Sequence, residues 1–200
     1  MKKPIIEKGS IEEQIELARE TGTRPHLLLH ACCGPCASSV LERLTPHFDV
    51  TIFFYNPNIM PNEEFIRRLE ALKVVISHFE GVKLIVPEQS ESEYVPLVKG
   101  LESEREGGAR CGICFALRLE GTTKYLVSHK DEYDFFATTL TVSPHKDNVR
   151  INEIGNNIAK KFDVKYLSSN FKKQDGYLRS TQLSREFGIY RQDYCGCKFE

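Results

Sequence analysis

No stretch of the 200-residue chain approaches the roughly 20 consecutive apolar residues that a membrane-spanning helix requires. The opening segment Met1-Lys2-Lys3-Pro4-Ile5-Ile6-Glu7-Lys8 is charged too soon to contain the hydrophobic core of a signal peptide. A basic surplus is missing as well. Lys and Arg total 27 against 28 Asp and Glu, a formal charge of −1, whereas a dedicated nucleic-acid scaffold carries a clear positive excess. That balance excludes a polycationic scaffold and still permits a local basic patch. Internal repeats and low-complexity segments are also absent. The expectation is a cytoplasmic protein with no membrane association, in a compartment where thiols stay reduced. With 40% apolar and 28% charged residues, the length suits a single α/β domain over 1–200, in which 168–200 form a C-terminal extension that completes the active site.

Against this plain background, strand-like and helix-like patterns alternate. Ser10-Ile11-Glu12-Glu13 has the form of a capping box, with Ile11, Ile15 and Ala18 on one helical face and Thr21-Gly22 as the stop. His26–Ala31 is a buried-strand run that ends at Cys32-Cys33-Gly34-Pro35-Cys36, and a helix follows through Leu41 and Leu44. A second strand covers Val50–Tyr55 and is closed by Asn56-Pro57-Asn58. A helix from Pro61 to Phe79 carries the stripe Phe65, Leu69, Leu72 and Ile76. Val82–Val86 reads as a third strand, 88–110 as an acidic segment with a short helix and a mobile loop, and Ile113–His129 as a helix opened by Cys111-Gly112-Ile113-Cys114. Phe135–Leu140 is a fourth strand, 151–162 an amphipathic helix and Val164–Leu167 a fifth strand. Such alternation implies an open, mainly parallel Rossmann-like sheet with helices on both faces. Ligands of these sheets gather beyond the carboxyl ends of the strands, which is where Cys32-Cys33 and the Thr-rich segment 138–143 would project.

Seven cysteines in a reducing compartment point to metal or redox chemistry rather than to a disulfide framework. They fall in three groups: C-C-x-x-C (Cys32, Cys33, Cys36), C-x-x-C (Cys111, Cys114) and C-x-C (Cys195, Cys197). Short spacings present two sulfurs to one side of a turn, and soft thiolates select zinc, copper(I) or iron–sulfur clusters. A structural Cys₄ zinc site would leave three cysteines without a role. A thioredoxin-type pair would leave the second cluster without one. Burial as small hydrophobes accounts for single cysteines better than for three clusters.

The chain resembles the cobalamin-independent epoxyqueuosine reductases of the QueH type. The matching segments are His30-Ala31-Cys32-Cys33-Gly34-Pro35-Cys36, Tyr55-Asn56-Pro57-Asn58-Ile59, Arg110-Cys111-Gly112-Ile113-Cys114, Thr138-Thr139-Leu140-Thr141-Val142-Ser143-Pro144 and Tyr190-Arg191-Gln192-Asp193-Tyr194-Cys195-Gly196-Cys197. The resemblance implies an oxidoreductase that converts epoxyqueuosine at the tRNA wobble position to queuosine, gaining two electrons and two protons and releasing water. It implies a [4Fe–4S] cluster on Cys32, Cys33, Cys111 and Cys114, with Cys195 and Cys197 as a redox-active pair or as holders of an additional iron. Cys36 either joins that second metal or packs near the cluster. The implied partners are the anticodon stem-loop of the tRNA and an electron-donor protein or reductant.

Around these cysteines, Tyr194, Tyr190, His30, His145 and Asp193 are candidate proton sources, each with ordinary packing or solvation as its alternative. The hydroxyls of Thr138–Ser143 could bond cluster sulfurs or simply cap the next helix. Asn56 and Asn58 read as turn formers. Phe171-Lys172-Lys173, Arg179, Arg185 and Arg191, interleaved with Tyr166, Tyr177, Phe187 and Tyr190, suit a small contact with RNA phosphates and unstacked bases. A tRNA sulfur-transfer enzyme of the ATP-binding α/β type would need a Gly/Ser-rich pyrophosphate loop after the first strand, and the Cys-rich segment occupies that place. A zinc-binding interaction domain is the non-enzymatic alternative.

Overall fold

The computed structural model describes residues 8–197. Most of the opening segment on which the signal-peptide reading rested, residues 1–7, lies outside that range. Ser10 starts α1 (Ile11–Thr21): its hydroxyl accepts the Glu13 N–H at 3.2 Å, while the Glu13 carboxylate accepts the Gly9 N–H at 2.6 Å. The exchange satisfies two donors at the helix start. Gly22 ends the helix at φ 70°, a left-handed conformation that costs glycine little.

Strands β1 (His26–His30), β2 (Asp49–Phe53), β3 (Lys83–Ile85) and β4 (Phe135–Thr138) form one parallel sheet in the order β3-β2-β1-β4. Side chains alternate across a strand, so the unbroken apolar run of β1 serves two cores. Leu27 and Leu29 pack with Val50 and Ile52 under α1, α2 (Gly34–Leu44) and α3 (Asn62–Ile76). Leu28 faces the opposite side, with Phe53, Phe136, Leu126 of α4 (Ala109–Ser128) and Ala159 of α5 (Asn148–Phe162). A last helix, α6 (Gly176–Glu186), packs against α2. The expected α/β architecture with helices on both faces is therefore present. No helix among the described residues is long and apolar enough to cross a membrane.

The strand order locates the crevice. The chain lays β1, β2 and β3 outward in one direction, then crosses back to place β4 on the other side of β1. Beyond the carboxyl ends of β1 and β4 the connecting segments diverge and leave an opening. Cys32 and Cys33 leave β1 at this point, and a 3₁₀ turn, Thr139–Val142, leaves β4.

Several boundaries differ from the sequence reading. The fifth strand is reduced to one bridge between Phe136 and Tyr166, because the chain turns away after two backbone bonds to pair Ser168 with Gly9 and Ser10. The segment 88–110 holds two short 3₁₀ turns, Glu91–Glu93 and Val95–Val98. Both α2 and α4 begin earlier than expected, so Cys33 caps α2, Cys36 lies in its first turn and Cys111 lies in the first turn of α4.

Candidate active site

Three chain segments bring sulfur to the crevice. After β1, the Cys32, Cys33 and Cys36 sulfurs all lie within 4.8 Å of one another, and the Cys32 and Cys33 Sγ atoms are 3.7 Å apart. They sit at the amino-terminal end of α2, where backbone N–H groups and the helix dipole favour anionic sulfur. Hydrogen bonding from the Cys33 and Cys36 thiols holds Cys32 well below the ordinary thiol range. The same proximity pushes Cys33 up to about 12 and Cys36 upward. Three sulfurs this close together are a donor set suited to a soft metal.

The start of α4 supplies the second pair, and it divides. Cys111 packs with Cys32 and Cys33, its sulfur accepting the Gly107 N–H at 3.2 Å. Cys114, three residues along the helix, packs instead with Cys195 and Cys197, and burial raises it to about 11. The C-x-C strap forms the third group. A hydrogen bond from Cys197 lowers Cys195 to about 5 against the opposing effect of burial, and it raises Cys197. All seven cysteines are free thiols.

A buried ion pair holds the strap in place. Arg68 and Glu64 on α3 bond at 2.6 Å, and both are buried. The Arg68 guanidinium donates to the Cys195 carbonyl at 2.9 Å and to the Tyr194 carbonyl at 3.1 Å. The Gly196 carbonyl accepts the Met60 N–H at 2.9 Å. Gly196 adopts φ 98°, a backbone conformation that favours glycine, and a Cβ there would stand 3.0 Å from the guanidinium and crowd it.

Between these groups lies a cavity of about 350 Å³, lined by Cys32, Cys36 and Cys195 together with Arg118, Lys146 and Asp193. A second opening of about 660 Å³ reaches Cys195 and Cys197 from the Met60–Pro61 side. The residues fit a thiolate-bound metal group: sulfurs from three segments gather at this crevice, and the buried Arg118 Nη2 on the cavity wall has no hydrogen-bond partner. Such a donor can satisfy a sulfur acceptor of a bound cluster.

A family model described as "Epoxyqueuosine reductase QueH" matches residues 27–200. The chain belongs to this family. Among curated relatives, the epoxyqueuosine reductase QueH of Streptococcus pyogenes is 40% identical over 194 residues, covering 94% of this chain and 75% of that protein. That of Staphylococcus epidermidis is 42% identical over 185 residues, covering 89% and 77%. That of Thermotoga maritima is 38% identical over 176 residues, covering 86% and 88%. The family is one of oxidoreductases, and this chain is a member with its cysteine-bearing segments inside the matched region.

For a member of the QueH family, the other residues singled out in sequence have distinct placements. His30 is fully buried: Nε2 donates to the Tyr55 carbonyl at 3.1 Å, Nδ1 accepts the Thr138 hydroxyl at 2.9 Å, and desolvation lowers the ring to about 4. It is a neutral brace between strands. Tyr190 donates to Glu64 at 2.9 Å, and burial raises its hydroxyl. Tyr194, His145 and Asp193 line the cavity at exposed positions. Asn56 bonds the Ala31 carbonyl at 2.8 Å as a connector between strand ends.

Of the aromatic and basic residues grouped for RNA contact, Phe171 and Tyr166 are core residues, and Phe187 stacks on His78 at 3.8 Å. Arg179 is held by Glu42 and Glu186. Tyr177 and Arg191 remain at the cavity rim, with the guanidinium 5.1 Å from the ring centre. Sequence reasoning missed Arg68, Arg118 and Lys146. Glu64 and Arg68 carried a usable signal, an i, i+4 pair of opposite charge. Arg118 and Lys146 carried none beyond Arg118 lying one turn after Cys114.

Proposed function

We propose that this chain removes the epoxide oxygen of epoxyqueuosine at the wobble position of tRNA, using an iron–sulfur group and the Cys195–Cys197 pair. The observation that carries this reading is the convergence of sulfurs from residues 32–36, 111–114 and 195–197 on one crevice of a QueH-family fold. Cys32, Cys33, Cys111 and Cys114 are the ligands we assign to a [4Fe–4S] cluster. Cys36 stands within 4.8 Å of two of them and is available to an additional iron. Residues 168–200 act as the C-terminal extension that closes the site, since they contribute the C-x-C strap and the rim residues Tyr177 and Arg191.

The electron count supports a role for the strap. Converting an epoxide to an alkene and water takes up two electrons and two protons, and oxidation of a dithiol to a disulfide releases the same number of each. A [4Fe–4S] cluster supplies electrons singly. Cys195 and Cys197 are such a pair of free cysteines, on a strap that the Arg68 clamp holds through the Cys195 carbonyl. A C-x-C disulfide closes a very small ring and departs from relaxed geometry, so it is readily reduced again by an electron-donor protein or other reductant. Tyr194 and Asp193 stand between the cavity and solvent, where protons can pass. On the anticodon stem-loop, Tyr177 offers a stacking face and Arg191 a phosphate contact. Action on tRNA fits a cytoplasmic location.

The test uses anaerobically reconstituted protein, a chemical reductant and tRNA carrying epoxyqueuosine, followed by nucleoside mass analysis. The expected product has lost one oxygen, without added cobalamin or ATP. Unchanged epoxyqueuosine in the presence of a fully loaded cluster would reject the assignment.

A further inference from the structure

Arg118 is 1% exposed, yet none of the described residues gives it a carboxylate partner. Its Nε donates to the Cys114 carbonyl at 3.2 Å, one turn earlier on α4, and its Nη2 has no hydrogen-bond partner. The side chain reaches the wall of the sulfur-lined cavity beside Cys32, Cys36 and Cys195. A buried guanidinium is costly unless a counter-charge repays its desolvation. Two other cations of the cavity differ in this respect: Glu106 stands 3.5 Å from the Lys146 ammonium, and Glu64 stands 2.6 Å from the Arg68 guanidinium. The groups that face Arg118 electrostatically are sulfurs of all three segments, Cys114, Cys195, Cys32 and Cys197.

We propose that Arg118 is the internal counter-cation of the metal centre, its Nη2 reserved for the anionic sulfur of a thiolate-bound metal group. The inference rests on the reading that these thiols hold metal, and it concerns a positioning residue rather than one that touches substrate. Four thiolates around a metal leave net negative charge, and each added electron increases it. A fixed positive charge in a desolvated site therefore favours the loaded and the reduced states. Net charge and hydrogen bonds to sulfur are the terms that set cluster potentials.

Three variants test this in the full chain. Arg118→Met removes the charge, Arg118→Lys keeps it, and Lys124→Met removes an exposed charge from the same helix, where the side chain is 65% accessible. In reconstituted protein, the cluster potential is expected to move negative in Arg118→Met, to return toward the parent value in Arg118→Lys and to stay unchanged in Lys124→Met. Arg118→Gln supplies a second neutral variant should the methionine form not fold. A parallel measurement loads iron-free protein with zinc and follows its loss to EDTA, which needs neither iron nor activity. Faster loss from the neutral variants supports the counter-cation even if the native metal is not iron. A potential and a zinc-loss rate both equal to the parent's in a folded neutral variant would overturn it. So would a change confined to KM for the tRNA.

Discussion

At Cys195 and Cys197, two sulfurs lie one residue apart, and the Arg68 guanidinium of α3 fixes the carbonyl between them. Substituting either cysteine by serine removes half of a dithiol while leaving the Cys32, Cys33, Cys111 and Cys114 sulfurs untouched. Turnover should vanish in Cys195→Ser and Cys197→Ser, while iron–sulfur absorption is largely retained. Loss of that absorption would show that the strap is itself a cluster ligand. At this scale the cysteines were legible in sequence, because ligands at short spacing announce themselves. The roles of single residues were not. The partner of His30 Nδ1 lies 108 positions away at Thr138, and only that contact turns a candidate proton source into a strut. Arg118 similarly takes its meaning from sulfurs supplied by the two ends of the chain.

Elements position these residues, and two contacts between helices set that positioning. Gly34, the first residue of α2, lies against the backbone of α3: a Cβ would stand 2.7 Å from the Ala71 carbonyl carbon and oxygen. The neighbour is backbone and cannot swing aside, so Gly34→Ala should cost about 1–3 kcal/mol of stability. It should also displace Cys33 and Cys36, which flank it. Urea unfolding together with iron content after reconstitution checks both effects, and an unchanged midpoint would show that the helices can part without strain. On the other side of α2, Glu42 grips Arg179 of α6 through two bonds of 2.7 and 2.9 Å.

Arg179 holds the Glu42 carboxyl below its ordinary value. A carboxylate with a depressed folded value contributes fully above its unfolded range, and the contribution is lost as pH falls through the folded value. The stability gap between the parent and Glu42→Gln should therefore be widest near neutrality and close on acidification, as thermal melts at several pH values would show. Helix α6 itself escaped the sequence reading. Its buried residues are Ser180, Leu183 and Ser184, so a single apolar side chain marks the inner face and leaves no stripe to detect. Strands β1, β2 and β4 were readable because apolar runs buried on both faces have few alternatives. The short stretch at Val164–Leu167 looked equally strand-like, but its pairing is cut to a single bridge by the pull of Ser168 toward Gly9.

For the whole molecule, the strand order accounts for the location of the chemistry. Reversal of direction at β1 opens a crevice, the Cys-rich turn fills its floor, the start of α4 closes one side and the strap after α6 closes another. Alternation of strands and helices was enough to foresee that edge, since parallel sheets place their loops in a regular way. It could not foresee that Cys111 and Cys114 would face different sulfur groups, because that depends on the angle at which α4 crosses the crevice. Iron and acid-labile sulfide analysis of the protein purified without oxygen tests the account most directly. The account predicts about four irons and four sulfides per chain, in line with a Cys-held [4Fe–4S] cluster. A colourless protein carrying stoichiometric zinc and no sulfide would contradict it.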